Sequence, residues 1–257
     1  MNRNPYYFLA LLFILMLFPW DASAQYNNRS RRNGTQIPES GNIVVLVGAG
    51  VAGVKSDICG SLGCNEFGPV VSVGALYKLT PNFGISGTID YVKLGANEKD
   101  PRQTSNISFE SEVLAFSATA VLNLWDSYAG SGNYRSSRKR FAVPYIRGGV
   151  GAIYYTPTSY PGEGNLDDSQ TTYDPEREYP AIAAVIPFGG GIRFRINNEF
   201  SIAPELMYQI TTTDFLDNIG PRLGNPGNTD HYGIAVVKLQ YTPVLKNKIF
   251  SKKPQSR

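Results

Sequence analysis

The residues able to do chemistry in this chain are few and scattered. His231 is the single histidine, and Cys59 and Cys64 are the two cysteines. A serine hydrolase working at a lipid interface needs a histidine held between its nucleophile and an orienting partner. A lone histidine at the start of a segment supplies one member of that set and reads more simply as a solvated or hydrogen-bonded side chain. The acidic run Asp167, Asp168, Asp174, Glu176 and Glu178 offers oxygen ligands to a hard cation. It lacks the fixed spacing and turn glycine of a calcium loop, so it reads as a solvated connection. No catalytic residue and no metal ligand is assigned, and an enzyme is not expected.

One motif has a cofactor spacing: Gly48-Ala49-Gly50-Val51-Ala52-Gly53, directly after the apolar run Ile43 to Val47. A dinucleotide site requires a helix straight after such glycines, with its N-terminus facing the pyrophosphate, and an acidic residue about 20 positions on for the ribose. Here Lys55 to Gly63 brings further glycines and no helical face. The glycines fit a crowded strand instead, as do Gly148, Gly149 and Gly151 and the run Gly189 to Gly191. No cofactor and no small-molecule substrate is expected.

The first residues set the compartment. Arg3 precedes an apolar run from Tyr6 to Phe18, followed by Pro19, Trp20 and the triplet Ala22-Ser23-Ala24. A charged start, an apolar core too short to span a bilayer and small residues before Gln25 make residues 1–24 a cleavable export signal. Residues 25–42, with Arg29, Arg31 and Arg32 and no periodicity, read as a flexible leader. Export leads to an oxidising compartment, where Cys59 and Cys64, close together in a glycine-rich turn, read as a loop disulfide. Two free thiols are the alternative. With 24 basic against 21 acidic side chains, a net charge of +3 and no long basic block, nothing points to a nucleic acid. The mean hydropathy is slightly negative, which excludes a helical membrane protein, because each span takes about 20 consecutive apolar residues.

The elements that must position these residues are strands. From Ile43 to Tyr241 the chain alternates with period 2 in segments rich in Val, Ile, Tyr and Phe, punctuated by Gly, Pro, Asn and Asp. In the stretch 200–213, Phe200, Ile202, Leu206, Tyr208 and Ile210 fall on one face, with Ser201, Glu205, Gln209 and Thr211 on the other. In the stretch 143–155 Ile146, Val150, Ala152 and Tyr154 oppose Tyr145, Arg147, Gly149 and Gly151. Eight such segments are predicted: 43–54, 70–79, 85–94, 109–124, 143–155, 183–195, 200–213 and 231–241. Each reaches the roughly 9–11 residues that a tilted strand needs to cross a bilayer.

Connection lengths alternate as well. Thr80-Pro81-Asn82 and Asn197-Asn198-Glu199 are tight turns, whereas 55–69, 95–108, 156–180 and 214–230 are long. The link 125–142 is the exception, being long on the short side. Segregated loop lengths and aromatics near the strand ends (Tyr77, Tyr91, Trp125, Tyr145, Tyr154, Tyr155) favour an all-β fold, an eight-stranded antiparallel up-and-down transmembrane barrel over residues 43–243, against a soluble two-sheet sandwich. In so narrow a barrel the inward charges must pair. Lys78, Asp90, Arg147, Arg193, Arg195 and Glu205, with Lys238 nearby, are expected to form a plug of ion pairs rather than a conducting path.

Four stretches resemble a known family: Phe109-Glu110-Ser111-Glu112, Pro144 to Gly151, Ile186 to Ile192, and Thr213-Asp214-Phe215-Leu216-Asp217 with Asn218 and Ile219. They are similar to the eight-stranded outer-membrane barrels that include the type IX secretion protein PorG, and the likeness covers about 43–241. The chain departs from that family at Gln209, where Arg is common, and in the link 125–142. The resemblance implies a bacterial outer-membrane subunit of a protein secretion machine, embedded in lipid and touching a periplasmic protein complex. A stand-alone barrel binding an external ligand through its long loops is the alternative.

On that topology the leader, the link with Arg135, Arg138, Lys139 and Arg140, and the tail 244–257 with Lys246, Lys248, Lys252, Lys253 and Arg257 share the periplasmic side. The outer loop 156–180 carries Glu163 and the acidic run against Arg177 alone. The basic side is expected to dock an acidic periplasmic subunit or to sit near anionic lipid.

Overall fold

The computed structural model describes residues 43–56, 63–80, 82–97, 107–125, 141–162, 166, 171–175, 177–197, 199–218 and 229–243. Alternation of apolar and small polar residues gives nine strands: β1 (Ile43–Lys55), β2 (Asn65–Glu66), β3 (Gly68–Lys78), β4 (Phe83–Asn97), β5 (Ile107–Asn123), β6 (Ala142–Pro161), β7 (Ala181–Arg195), β8 (Phe200–Thr211) and β9 (His231–Tyr241). All but β2 form an antiparallel sheet in the order β4-β3-β1-β9-β8-β7-β6-β5, and β5 pairs back onto β4. The barrel is therefore closed and leaves no open edge. The two-residue β2 is an addition to the eight predicted strands, pairing with the outer end of β4.

The predicted turns close as their side chains dictate. Leu79 and Thr80 both donate their N–H to the Phe83 carbonyl, at 3.0 and 2.9 Å. Between β7 and β8 the Asn197 side-chain oxygen accepts from the N–H groups of Glu199 and Phe200 at 2.8 and 2.7 Å, an Asx turn. Two gaps in the ladder coincide with prolines. Pairing of β6 with β7 lapses opposite Pro187, and pairing of β7 with β8 lapses opposite Pro204. Neither residue has an N–H to give.

Strands β5 and β6 run further outward than the alternation predicts. They pair up to Ile107 and Pro161, well past the last β6–β7 pair at Tyr155 and Ala181. Pro157 lies in this extension, where β6 has one neighbour only, the position in a sheet that tolerates proline.

The outer surface is apolar from the short turns to about the level of Tyr91. Val45, Val47, Val71, Val73, Ile85, Ile89 and Phe116 all point outward and are exposed. Tyr91 pairs with Leu114, and the next pair on the same face is Lys93 with Glu112, so charge begins where the belt ends. Lys93 also reaches Glu110 at 2.6 Å. Of the aromatics expected at the strand ends, Tyr77, Tyr91, Trp125 and Tyr154 face outward. Tyr145 and Tyr155 do not: odd positions of β6 face inward with Arg147, and both rings are buried in the lumen.

The glycines of the cofactor-like motif and of β6 belong to the barrel wall. A Cβ at Gly149 would lie 2.0 Å from the Ala118 carbonyl oxygen, because the β5 backbone opposite crowds the inward face. At Gly87, on the outer face, a Cβ would meet nothing within 4 Å. Gly149→Val is therefore expected to fail to form a barrel that shifts in gel mobility on heating, and Gly87→Val to form it as the parent does. Equal assembly of the two would show that the wall tolerates the clash.

Candidate functional site

The lumen is filled in three layers. Toward the short turns, Val44, Leu46, Leu76, Val121, Tyr145 and Ala203 form one apolar cluster. Toward the long loops, a larger one includes Val70, Val92, Phe109, Val113, Tyr155 and Tyr232. Between them lies a polar layer, built because the inward positions of β4, β5, β6, β8 and β9 at this height carry Thr88, Asp90, Ser117, Thr119, Arg147, Glu205 and Lys238.

Glu205 organises that layer. Its carboxylate accepts from Arg147 Nη1 at 3.1 and 3.2 Å, from Lys238 Nζ at 2.6 Å and from the Tyr145 hydroxyl at 2.8 Å. Arg147 spends its remaining donors on Thr119 Oγ1, from Nε at 3.1 Å and Nη2 at 2.8 Å. Two cations on one carboxylate, all three nearly excluded from solvent, demand this geometry, since each loses its water shell. The residual cavity in the layer is about 10 Å³, room for one water at most. Such a lumen is closed at mid-height.

The six lumen charges named from sequence are not gathered into one network. The structure joins Arg147 to Glu205 and adds Lys238, Tyr145 and Thr119. Asp90 instead accepts from the hydroxyls of Ser72 and Thr88 on its own side of the barrel. Arg193 sits nearer the short turns, donating to Gln240 Oε1 at 2.6 Å and Asn123 Oδ1 at 3.3 Å, with its guanidinium 5.2 Å over the Tyr145 ring. Lys78 and Arg195 lie on inward positions at the same end. The alternation alone shows that these residues share an interior. Their heights follow from the stagger between strands, which it does not report. Lys238 carried the same signal, an inward even position shared with Ile234 and Val236.

The Thr213-Asp214-Phe215-Leu216-Asp217 element turns into the barrel mouth. Thr213 Oγ1 meets the Tyr155 hydroxyl at 2.7 Å, and the Thr213 carbonyl accepts from Asp230 N at 2.9 Å. Leu216 donates its N–H to Asp230 Oδ2 at 2.9 Å and buries its side chain completely in the outer lumen cluster. Asn218 takes a left-handed backbone, φ 58°, which asparagine adopts more readily than most residues, and ties its amide to Ser159 Oγ at 2.9 Å. Arg177 from the loop 162–180 stacks 5.3 Å over the Phe215 ring. Among the described residues the element packs into the mouth and spends its polar groups on the barrel's own strands.

His231 lies at the start of β9 with Nδ1 2.9 Å from the Asp230 carbonyl and its ring against Tyr208. Among the described residues no group of three His, Cys, Asp or Glu side chains is arranged to hold a metal. Cys64 is buried, and its carbonyl accepts from Asn97 N at 3.0 Å. Cys59 and the basic residues Arg135, Arg138, Lys139 and Arg140 lie outside the described residues.

No protein-family model and no curated protein matches the chain. Solved structures similar to it include Neisserial surface protein A, at 11% identity and a TM-score of 0.41 over 79% of this chain and 97% of that one. The attachment invasion locus protein Ail of Yersinia pestis is similar at 13% identity and a TM-score of 0.42, over 79% and 98%. The outer membrane protein OprG of Pseudomonas aeruginosa is similar at 10% identity and a TM-score of 0.43, over 79% and 98%. At these identities and scores the similarity is one of strand architecture.

Proposed function

We propose that this chain is a non-enzymatic barrel integral to the bacterial outer membrane, acting as a subunit of a type IX-like protein secretion machine that contacts a periplasmic partner. The observation that carries the reading is the combination of an apolar outer belt with a lumen closed by the Glu205 layer. A barrel set in lipid and sealed inside conducts nothing, so its work falls to contacts at its ends. The outer mouth uses the 213–217 element on itself. That leaves the short-turn side, where the leader, the link and the tail concentrate basic residues, to dock an acidic subunit. Such a charged face raises the association rate and weakens with salt.

The test reverses Arg138, Lys139 and Arg140 to Glu together. The expected result is a barrel that still assembles and still shifts on heating, with loss of the co-purifying periplasmic complex and of cargo export. Unchanged export from an assembled triple variant removes the link as the docking surface. Orientation is checked separately with single cysteines in a background lacking Cys59 and Cys64. A cysteine at Asp168 should react with an impermeant maleimide in intact cells, and one at Lys139 only after the outer membrane is opened. The reverse pattern overturns the topology.

A second reading, binding of an external ligand by the outer loops, is favoured by the paired outer ends of β5 and β6, which project beyond the belt, and by the pair that Lys93 of β4 makes with Glu110 of β5. Export also supports a Cys59–Cys64 bridge, whose presence a thiol titration of the unfolded, unreduced protein decides.

A further inference from the structure

Among the described residues the outer wall carries an apolar groove. Across the outer faces of β1, β9, β8 and β7, near the long-loop end, a groove of about 440 Å³ opens to the surface with an almost wholly apolar lining. That volume falls in the range of about 300–1,000 Å³ typical of sites that hold a small molecule. Its floor is made by residues with little or no side chain, Gly53, Gly233 and Ala235, which closure of the barrel places together: Gly53 pairs with Gly233, and Val51 with Ala235.

Both walls are apolar. On one side Phe67, carried by the β2–β3 segment, lies so close that a Cβ at Gly53 would come within 3.1 Å of its ring. Asn65 pins that segment by accepting the Val54 N–H at 2.5 Å. On the other side stand Phe188, Leu206 and Tyr208. Directly above the floor, one step toward the loops on the same face, Lys55 pairs across the strands with His231. Glu66, the nearby acid on β2, is engaged by the Asn97 amide at 2.5 Å.

We infer that this groove holds one acyl chain of an anionic phospholipid from the surrounding bilayer, with its headgroup against Lys55. The inference rests on the membrane reading above. The reasons are the shape and the sign of the charge. An apolar trough runs from the belt to a cation beyond it, and the lining of its trough end is almost wholly apolar. An anionic headgroup anchored on an acyl chain meets both ends at once, with the cation contributing attraction to anionic lipid.

The test uses the purified protein reconstituted into vesicles of equal parts phosphatidylglycerol and phosphatidylcholine, then released in mild detergent for native mass spectrometry. One retained phosphatidylglycerol is expected. Gly233→Leu fills the trough, since a Cβ there has open space before it, and should abolish retention. Gly87→Leu makes the same change on open outer wall and should leave retention intact. Lys55→Gln should lower the preference for phosphatidylglycerol over phosphatidylcholine by about fivefold.

Equal retention by the Gly233→Leu variant and the parent, or no preference between the two lipids in the parent, overturns the inference. So does a photo-crosslinker at Ala235 that captures protein in place of lipid. Failure of the parent to insert into vesicles would instead defeat the membrane reading. A heat-shift gel on each variant confirms that the barrel has formed.

Discussion

Truncation of Glu205 to alanine is expected to destabilise the barrel by about 3–5 kcal/mol, the cost of removing one partner from a buried ion pair. The residue accepts from Arg147, Lys238 and Tyr145 at once, in a layer that leaves a cavity of only about 10 Å³ around the intact side chains. Its loss leaves two cations facing each other in the lumen, with Asp90 the one acid left beside them in the lining of that cavity. Replacing all three at once, with Arg147→Met, Glu205→Leu and Lys238→Met, should restore most of the stability, because an apolar set of similar volume carries no desolvation penalty. Denaturant unfolding of the refolded protein in detergent checks both. An alanine variant as stable as the parent would mean that water reaches the layer and that the lumen is open.

The second large effect concerns the outer wall. Val47, half exposed at the middle of the β1 stretch of belt, should tolerate arginine badly: a guanidinium at the bilayer midplane costs about 2–4 kcal/mol in a transmembrane barrel. Ile43, at the end of the same strand, should accept the same change for about 0–1 kcal/mol, because there the side chain reaches the headgroups. Folding free energies of Val47→Arg and Ile43→Arg in phospholipid vesicles measure the difference. Two equally small costs would place the wall in water and bring back the soluble sandwich.

Much of this architecture was legible in the chain itself. Period-2 alternation assigned the faces of β6 and β8 because each side chain's choice of face is settled locally, by the pleat. Thr80-Pro81-Asn82 and Asn197-Asn198-Glu199 announced their turns because the bonds that close them are made within four residues. The ends of β5 and β6 were missed. There the extension is held by pairing between the two strands beyond the apolar belt, where the alternation that marked the strands no longer runs.

The site was less legible than the fold. Sequence alternation placed Arg147 and Glu205 on inward faces, and a narrow lumen required buried charges to find partners. Which partners they find depends on height. Height is set by the stagger of strands that are distant in sequence, such as β6 and β8, and no local pattern carries it. So Lys238, from a strand with a weaker pattern, sits at the centre, while Asp90 and Arg193 bond elsewhere. The Thr213 to Asp217 element stood out in the sequence only as a family motif, and only folding showed Leu216 turned inward, because the mouth offered an apolar cluster for it to complete.

By itself the sequence determined that this is a closed antiparallel sheet with an apolar outside, a partly charged inside and tight turns along one rim, since all of these follow from side-chain type and nearest-neighbour geometry. Tertiary structure alone decided the three-layered filling of the lumen, the inward turn of the 213–217 element and the groove on the outer wall. The groove is the clearest case. Gly53 and Gly233 stand almost at opposite ends of the described chain, and neither is more than a glycine in a strand until β1 and β9 pair to close the barrel and set their two gaps side by side.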